Sequence, residues 1–106
     1  MTDFTNDPVL VRLRAALTAE FGDRLERALL FGPRVRGATG DDIEYDVAVF
    51  LRDMQDRWRD MCRLAEIETD IFYDTGASLE IMPYSAGYWR TPTPLMQEIR
   101  RAGVEL

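Results

Sequence analysis

Residues 28–51 read ALLFGPRVRGATGDDIEYDVAVFL, and this stretch decides how the chain is read. Ala28-Leu29-Leu30-Phe31 is a short apolar run that ends at Gly32-Pro33, the pattern of a buried strand closed by a turn. Residues 32–43 hold three glycines and a proline and read as a loop. Tyr45 to Leu51 is a second strand, rich in Val and aromatics. It is apolar on both sides of its alternation except at Asp46, which suggests a central strand. Asp41 and Asp42 are expected to form turns.

Regular elements extend outward on both sides. Asp7-Pro8 is an N-cap followed by proline at the first helical position. Leu10, Leu13, Leu17 and Phe21 then form one helical stripe, and Gly22 is a stop, so a helix is expected over about 8–21. Residues 1–6 are polar and expected to fray. Downstream, 54–73 reads as a long helix. Met54, Trp58, Met61, Cys62, Leu64, Ala65, Ile71 and Phe72 share one arc, opposite Gln55, Asp56, Arg59, Asp60, Arg63, Glu66 and Asp70. This makes Cys62 a core thiol, and Trp58, Tyr88 and Trp89 core or interface aromatics. Glu68 falls in the apolar arc and is expected in an ion pair with Arg57 or a partner. Ser78 to Met82 reads as a third strand closed by Pro83. Thr93-Pro94 starts a last helix that ends at Gly103. Helix, strand, strand, helix, strand, helix predicts an α/β or α+β domain, a small mixed sheet covered by helices.

Composition narrows the chemistry. With 106 residues, the chain is expected to be one domain over 1–106. Thirteen basic against 19 acidic residues give a net charge of −6, which argues against direct nucleic-acid binding. There is no His, and all 13 basic residues are Arg, so His-assisted nucleophiles, Schiff bases and a P-loop lysine are excluded. One Cys and no signal-peptide or membrane pattern make a cytoplasmic location the expectation. What remains is carboxylate, arginine, hydroxyl and backbone chemistry.

The carboxylates that interrupt strands are the informative ones. Glu44 and Asp46 lie at i and i+2, so they point to one face. Glu80 interrupts the third strand between Leu79 and Ile81. If the two strands are neighbours, three like charges converge, an arrangement suited to hard divalent cations such as Mg²⁺ that in turn hold phosphates. Upstream, Gly32, Pro33, Arg34, Arg36 and Gly37 form a turn whose N–H groups and guanidinium groups suit phosphate oxygens.

These residues resemble the minimal nucleotidyltransferases of the DNA polymerase β-like superfamily. The family pattern is a strand, Gly-Ser, ten residues, Asp-x-Asp, and a third carboxylate on a later strand. Here Gly32-Pro33 is followed by ten residues and then Glu44-Tyr45-Asp46, with Glu80 third. Arg34-Val35-Arg36-Gly37 matches the family's Arg-x-Arg-Gly, and Ile99 to Val104 is similar to its C-terminal helix and tail. The resemblance covers about 8–106. It implies Mg²⁺-dependent transfer of AMP from ATP to a hydroxyl. Asp46 then bridges two ions, Glu44 holds the phosphate-side ion, and Glu80 holds the acceptor-side ion or the proton. The resemblance also implies an antitoxin role, with a HEPN-type toxin as acceptor protein. Pro33 for Ser and Glu44 for Asp depart from the pattern. They support an alternative, a degenerate module that neutralises its partner by binding alone. A homo-oligomer is compatible with either reading.

Overall fold

The computed structural model describes residues 4–40 and 44–106. Asp41, Asp42 and Ile43 therefore lie outside the described residues, as do 1–3. Within 4–6 the chain turns, the Asp7 N–H donates to the Phe4 carbonyl, and Phe4 packs against the core.

Helix α1 spans Pro8–Phe21, capped as its sequence suggests. One Asp7 oxygen accepts from the Val9 and Leu10 N–H groups, and the other accepts from the Tyr45 hydroxyl at 2.9 Å. Strands β1 (Leu25–Phe31) and β2 (Tyr45–Leu51) follow, then helix α2 (Arg57–Thr75), strand β3 (Leu79–Ser85), helix α3 (Pro94–Ala102) and a two-residue strand β4 (Val104–Glu105). The sheet order is β3-β2-β1-β4. β1 runs antiparallel to β2 and β4, and β3 runs parallel to β2. The fold class is thus the expected one, an α+β mixed sheet, with β2 central. The crossover from β2 to β3 is α2, the long connection a parallel pair requires.

Strand alternation sorts the core into two layers. Tyr45, Val47, Val49 and Leu51 join Leu10, Leu13, Leu17, Leu64 and Ile71 beneath α1 and α2. Ala48 and Phe50 face the other way, onto Leu29, Met96 and Ile99 under α3. Gly103 allows the chain to double back from α3 into β4, since a Cβ there would stand 2.5 Å from the Ile99 carbonyl oxygen.

Three sequence expectations are corrected. β3 runs through Pro83, because β3 is an edge strand and the missing N–H falls on its unpaired side. The tail forms β4, too short to show a strand period. The buried seam of α2 is Asp60, Leu64, Ile67 and Ile71, whereas Trp58, Cys62 and Phe72 are exposed. The helix carries two apolar stripes, and the sheet takes the one with branched aliphatics. Asp60 joins that seam because Arg24 grips both of its oxygens, at 3.0 and 2.8 Å.

Among the described residues, no helix is long and apolar enough to cross a membrane.

Candidate functional site

The open end of the α3-side sheet face carries the carboxylates. β2 and β3 pair in register with Asp46 opposite Glu80, so these two side chains share a face by strand geometry. Glu44 stands one pleat earlier, where the Tyr45 N–H donates to the Ser78 carbonyl and begins the pairing. One oxygen of each of Glu44, Asp46 and Glu80 lies within 4.8 Å of the others. The three residues singled out from sequence are therefore brought together.

Their charge state follows from this crowding. Glu44 is held above the ordinary carboxylate range, first by its hydrogen bond with Glu80, then by desolvation and by the charges of Glu80 and Asp46. Asp46 is raised by burial and by Glu80, while Arg36 pulls it back. The cluster is under mutual repulsion, and Arg36 opposes it at Asp46.

Gly32 positions Asp46. At φ 82° it lies in the left-handed region, and a Cβ at this position would stand 2.6 Å from Asp46 Oδ2. The absent side chain is what gives the aspartate its seat. The rest of the turn closes on itself. The Arg36 and Ala38 N–H groups donate to the Pro33 carbonyl at 3.0 Å each, and the Gly37 N–H donates to the Arg34 carbonyl at 3.1 Å. These donors serve the turn, so the anion nest expected from the sequence is partly used internally. Arg34 lies over the Tyr45 ring at 3.8 Å and donates to the Gly40 carbonyl, which pins the loop to β2. Arg36 is exposed and is the arginine with electrostatic reach to Asp46.

A fourth carboxylate, Glu68, stands near the cluster in a role other than the ion pair expected from the sequence. Instead of an ion pair with Arg57, it accepts from the Ile81 N–H at 2.9 Å, and Arg57 donates to the Pro83 carbonyl at 3.2 Å. Alternate residues of an edge strand turn their backbone groups to one side, and here α2 supplies an acceptor and a donor in turn. Burial raises Glu68, the Ile81 bond opposes that, and Glu80 and Glu44 add to the rise. The available signal was an acid inside the apolar arc of a helix that must cover a sheet edge.

The donor set suits a hard divalent cation. All ligand atoms are carboxylate oxygens, with no nitrogen or sulfur among them. Ligands around Mg²⁺ at ~2.1 Å lie ~3–4 Å apart, so small side-chain rotations bring the three oxygens into range. A cation would also relieve the repulsion that raises Glu44 and Asp46.

No protein-family model and no curated protein matches the chain. Solved structures do. A double Asp-to-Glu variant of the toxin–antitoxin MntA-HpeT aligns with TM-score 0.62 at 16% identity, over 94% of this chain and 71% of that one. A toxin–antitoxin with AMP-PNP aligns with TM-score 0.58 at 17% identity, over 94% and 71%. A Tyr-to-Ala variant of MntA-HpeT gives 0.56 at 16% identity, over 95% and 70%. At these identities the likeness is one of fold, and it spans nearly the whole chain.

Proposed function

We propose that the chain is a Mg²⁺-dependent nucleotidyltransferase that transfers AMP from ATP to a hydroxyl of a partner protein, as the antitoxin of a HEPN-type toxin. The observation that carries the reading is the convergence of Glu44, Asp46 and Glu80 beside the Gly32 turn. The fold shared with toxin–antitoxin structures, one of them holding AMP-PNP, supports it.

In this reading the acceptor oxygen bonds to the α-phosphorus, the bond to the β-phosphate oxygen breaks, and pyrophosphate leaves. The acceptor proton passes to a carboxylate, for which Glu80 is assigned. Asp46 and Glu44 hold Mg²⁺ with Glu80. The metal's contribution is Lewis-acid neutralisation of the phosphate charge. Arg36 adds a cation at the phosphate side of Asp46. The fixed seat of Asp46 over Gly32 matters because displacements of ~1 Å can cost ~10²-fold in rate.

A second reading has its own observation. Pro33 offers no N–H, Arg34 is engaged with Tyr45 and Gly40, and the turn uses its donors internally. These features weaken the phosphate side and favour neutralisation by binding alone.

One experiment separates the two readings. The chain is copurified with the partner encoded beside it, given Mg²⁺-ATP, and assayed for pyrophosphate and for a partner mass increase of one AMP. The enzyme reading expects both, and Asp46→Asn should reduce them more than ~100-fold without lowering the melting temperature. Absence of product, with neutralisation surviving Asp46→Asn, leaves the binding module.

A further inference from the structure

Strand β3 is held from both sides, and its outer hold falls beside the acidic site. The Tyr45 N–H donates to the Ser78 carbonyl, so by alternation Glu80 also turns its backbone groups to β2, and Ile81 turns its own outward. β3 is the end strand of the sheet, where an outward N–H is ordinarily left to water or to a stray strand. Here the half-buried Glu68 of α2 accepts from the Ile81 N–H at 2.9 Å. Pro83, the next outward position, has no N–H, and its carbonyl accepts from Arg57 at 3.2 Å. Glu68 and Arg57 are about three turns apart on α2 and so lie on one side of it.

The place of the Glu68 bond matters more than its existence. The Ile81 N–H belongs to the peptide group whose carbonyl is that of Glu80. A peptide group is planar, so holding its N–H also limits where the Glu80 Cα and side chain can go. The strand needs a hold at this point. Glu80 stands directly across from Asp46, and like charges in that position push the two strands apart. β2 is braced by β1 on its far side, so the edge strand is the one that yields. A carboxylate here also has a cost, because burial and the charges of Glu80 and Glu44 disfavour its ionised form. An amide would cover a strand edge without that cost. What the carboxylate adds is the stronger, charge-assisted bond, which is useful where the strand must not move.

We infer that Glu68 is a positioning residue of the acidic site: by holding the Glu80–Ile81 peptide it keeps the Glu80 carboxylate in reach of a divalent cation shared with Glu44 and Asp46. This role rests on the proposed cation site, and it gives Glu68 no contact with the cation. Glu68 stands outside the set of converging oxygens and acts on it through the backbone of β3. Arg57 provides the contrast. It makes the same kind of contact with the same strand edge, but farther from Glu80, at a buried proline. Loss of either bond loosens the edge, and only the loss of the Glu68 bond loosens Glu80.

The test is calorimetric titration of the full chain with Mg²⁺, with a melting curve and the hydrogen-exchange rate of the Ile81 amide for each variant. Glu68→Ala should speed exchange at Ile81, lower the melting temperature by about 4–8 °C and weaken Mg²⁺ binding by about tenfold. Glu68→Leu, which keeps the bulk but lacks the acceptor, takes its place if Glu68→Ala does not fold. Glu68→Gln keeps an acceptor for the Ile81 N–H and should bind Mg²⁺ within about threefold of wild type. Arg57→Ala should lose a similar amount of stability and keep its Mg²⁺ affinity within about twofold. In a Glu80→Ala background, Glu68→Ala should weaken binding no further, because the residue it positions is gone. Wild-type affinity in Glu68→Ala overturns the role. So does a Glu68→Gln variant as weak as Glu68→Ala, which would mean that Glu68 acts by its charge or ligates the cation itself. Equal loss in Arg57→Ala, or a further loss in the Glu80→Ala background, overturns it as well. A wild type that binds no divalent cation overturns the proposed site together with this role. A chain that binds Mg²⁺ but transfers no AMP overturns the proposed activity alone, and the Glu68 variants still decide the role.

Discussion

The two ends of one sheet face behave as different materials. On β2, Asp46, Ala48 and Phe50 point to the same side, and on β3 so do Glu80, Met82 and Tyr84 in matching register. At one end Phe50 is fully buried, stacked on Tyr84 at 5.5 Å and edge-on to Trp89 at 5.3 Å, under the 3-10 turn Ala86–Arg90 and α3. At the other end lie Asp46, Glu80 and Glu44, with no helix above them among the described residues and with Glu44 and Glu80 exposed. The strand geometry is continuous and only the cover changes. The difference teaches where the chemistry can be. Three carboxylates under α3 would each need a partner or a proton, whereas at the open end water, and by our proposal a metal and phosphates, can reach them.

The comparison is broken most severely by emptying the covered end. Phe50→Ala removes a fully buried ring from between Tyr84, Trp89 and Met96, and is expected to cost about 3–5 kcal/mol. Denaturant titration should show the midpoint fall with little change in slope. If the ends are separate, the folded fraction keeps the divalent-cation affinity of the wild type. A variant that keeps its stability but loses that affinity would show that the aromatic end shapes the acidic one.

The sequence makes this division partly legible, for physical reasons. Asp46 and Glu80 stand out because a carboxylate inside an apolar strand has few structural explanations, and Gly32 stands out because its spacing to Asp46 matches a known pattern. α1 is readable to the residue because its cap and stripe agree. What could not be read depends on contacts remote in sequence. Asp60 looks like a surface acid until Arg24, 36 residues away, is known to sit beside it. Glu68 looks like half of a helical ion pair until the edge of β3 lies against it. Cys62 looks buried because a wheel shows that a helix has an apolar arc, not which of two arcs faces the sheet. β4 is two residues long, too short to carry a period.

The open end can be sharpened through the two glycines of its turn. Gly32→Ala forces a Cβ into the seat of Asp46 and strains a backbone at φ 82°. It should cost about 1–3 kcal/mol and displace the carboxylate, so divalent-cation affinity falls with the melting temperature. Gly37 has φ 98° but nothing within 4 Å of an added Cβ. Gly37→Ala should therefore bear the backbone strain alone and keep its affinity for Mg²⁺. Calorimetric titration of both variants with Mg²⁺ checks this. Equal losses of affinity would mean that the turn's conformation matters and the seat does not.

The smallest effect tests why the open end must be open at all. Asp46 and Glu80 are direct cross-strand neighbours of like charge, an arrangement that costs about 0.2–1 kcal/mol, toward the lower figure where solvent screens it. Glu80→Gln removes that repulsion and should raise the melting temperature at neutral pH. The sign of its pH dependence follows from the raised Asp46 and Glu44 carboxyls. A carboxyl raised in the folded state binds more protons there than in the unfolded chain. Its contribution to stability is therefore greatest below about pH 4 and falls as pH climbs through the raised value. The advantage of Glu80→Gln should accordingly vanish in acid, where Asp46 and Glu44 are protonated, and grow as pH rises toward neutral. Saturating Mg²⁺ should reverse the order, since the cation stabilises the full carboxylate set more than the depleted one. A variant less stable than wild type at neutral pH would instead mean that the Glu44–Glu80 hydrogen bond outweighs the repulsion. The cluster would then be held together by a shared proton, not held ready for a cation.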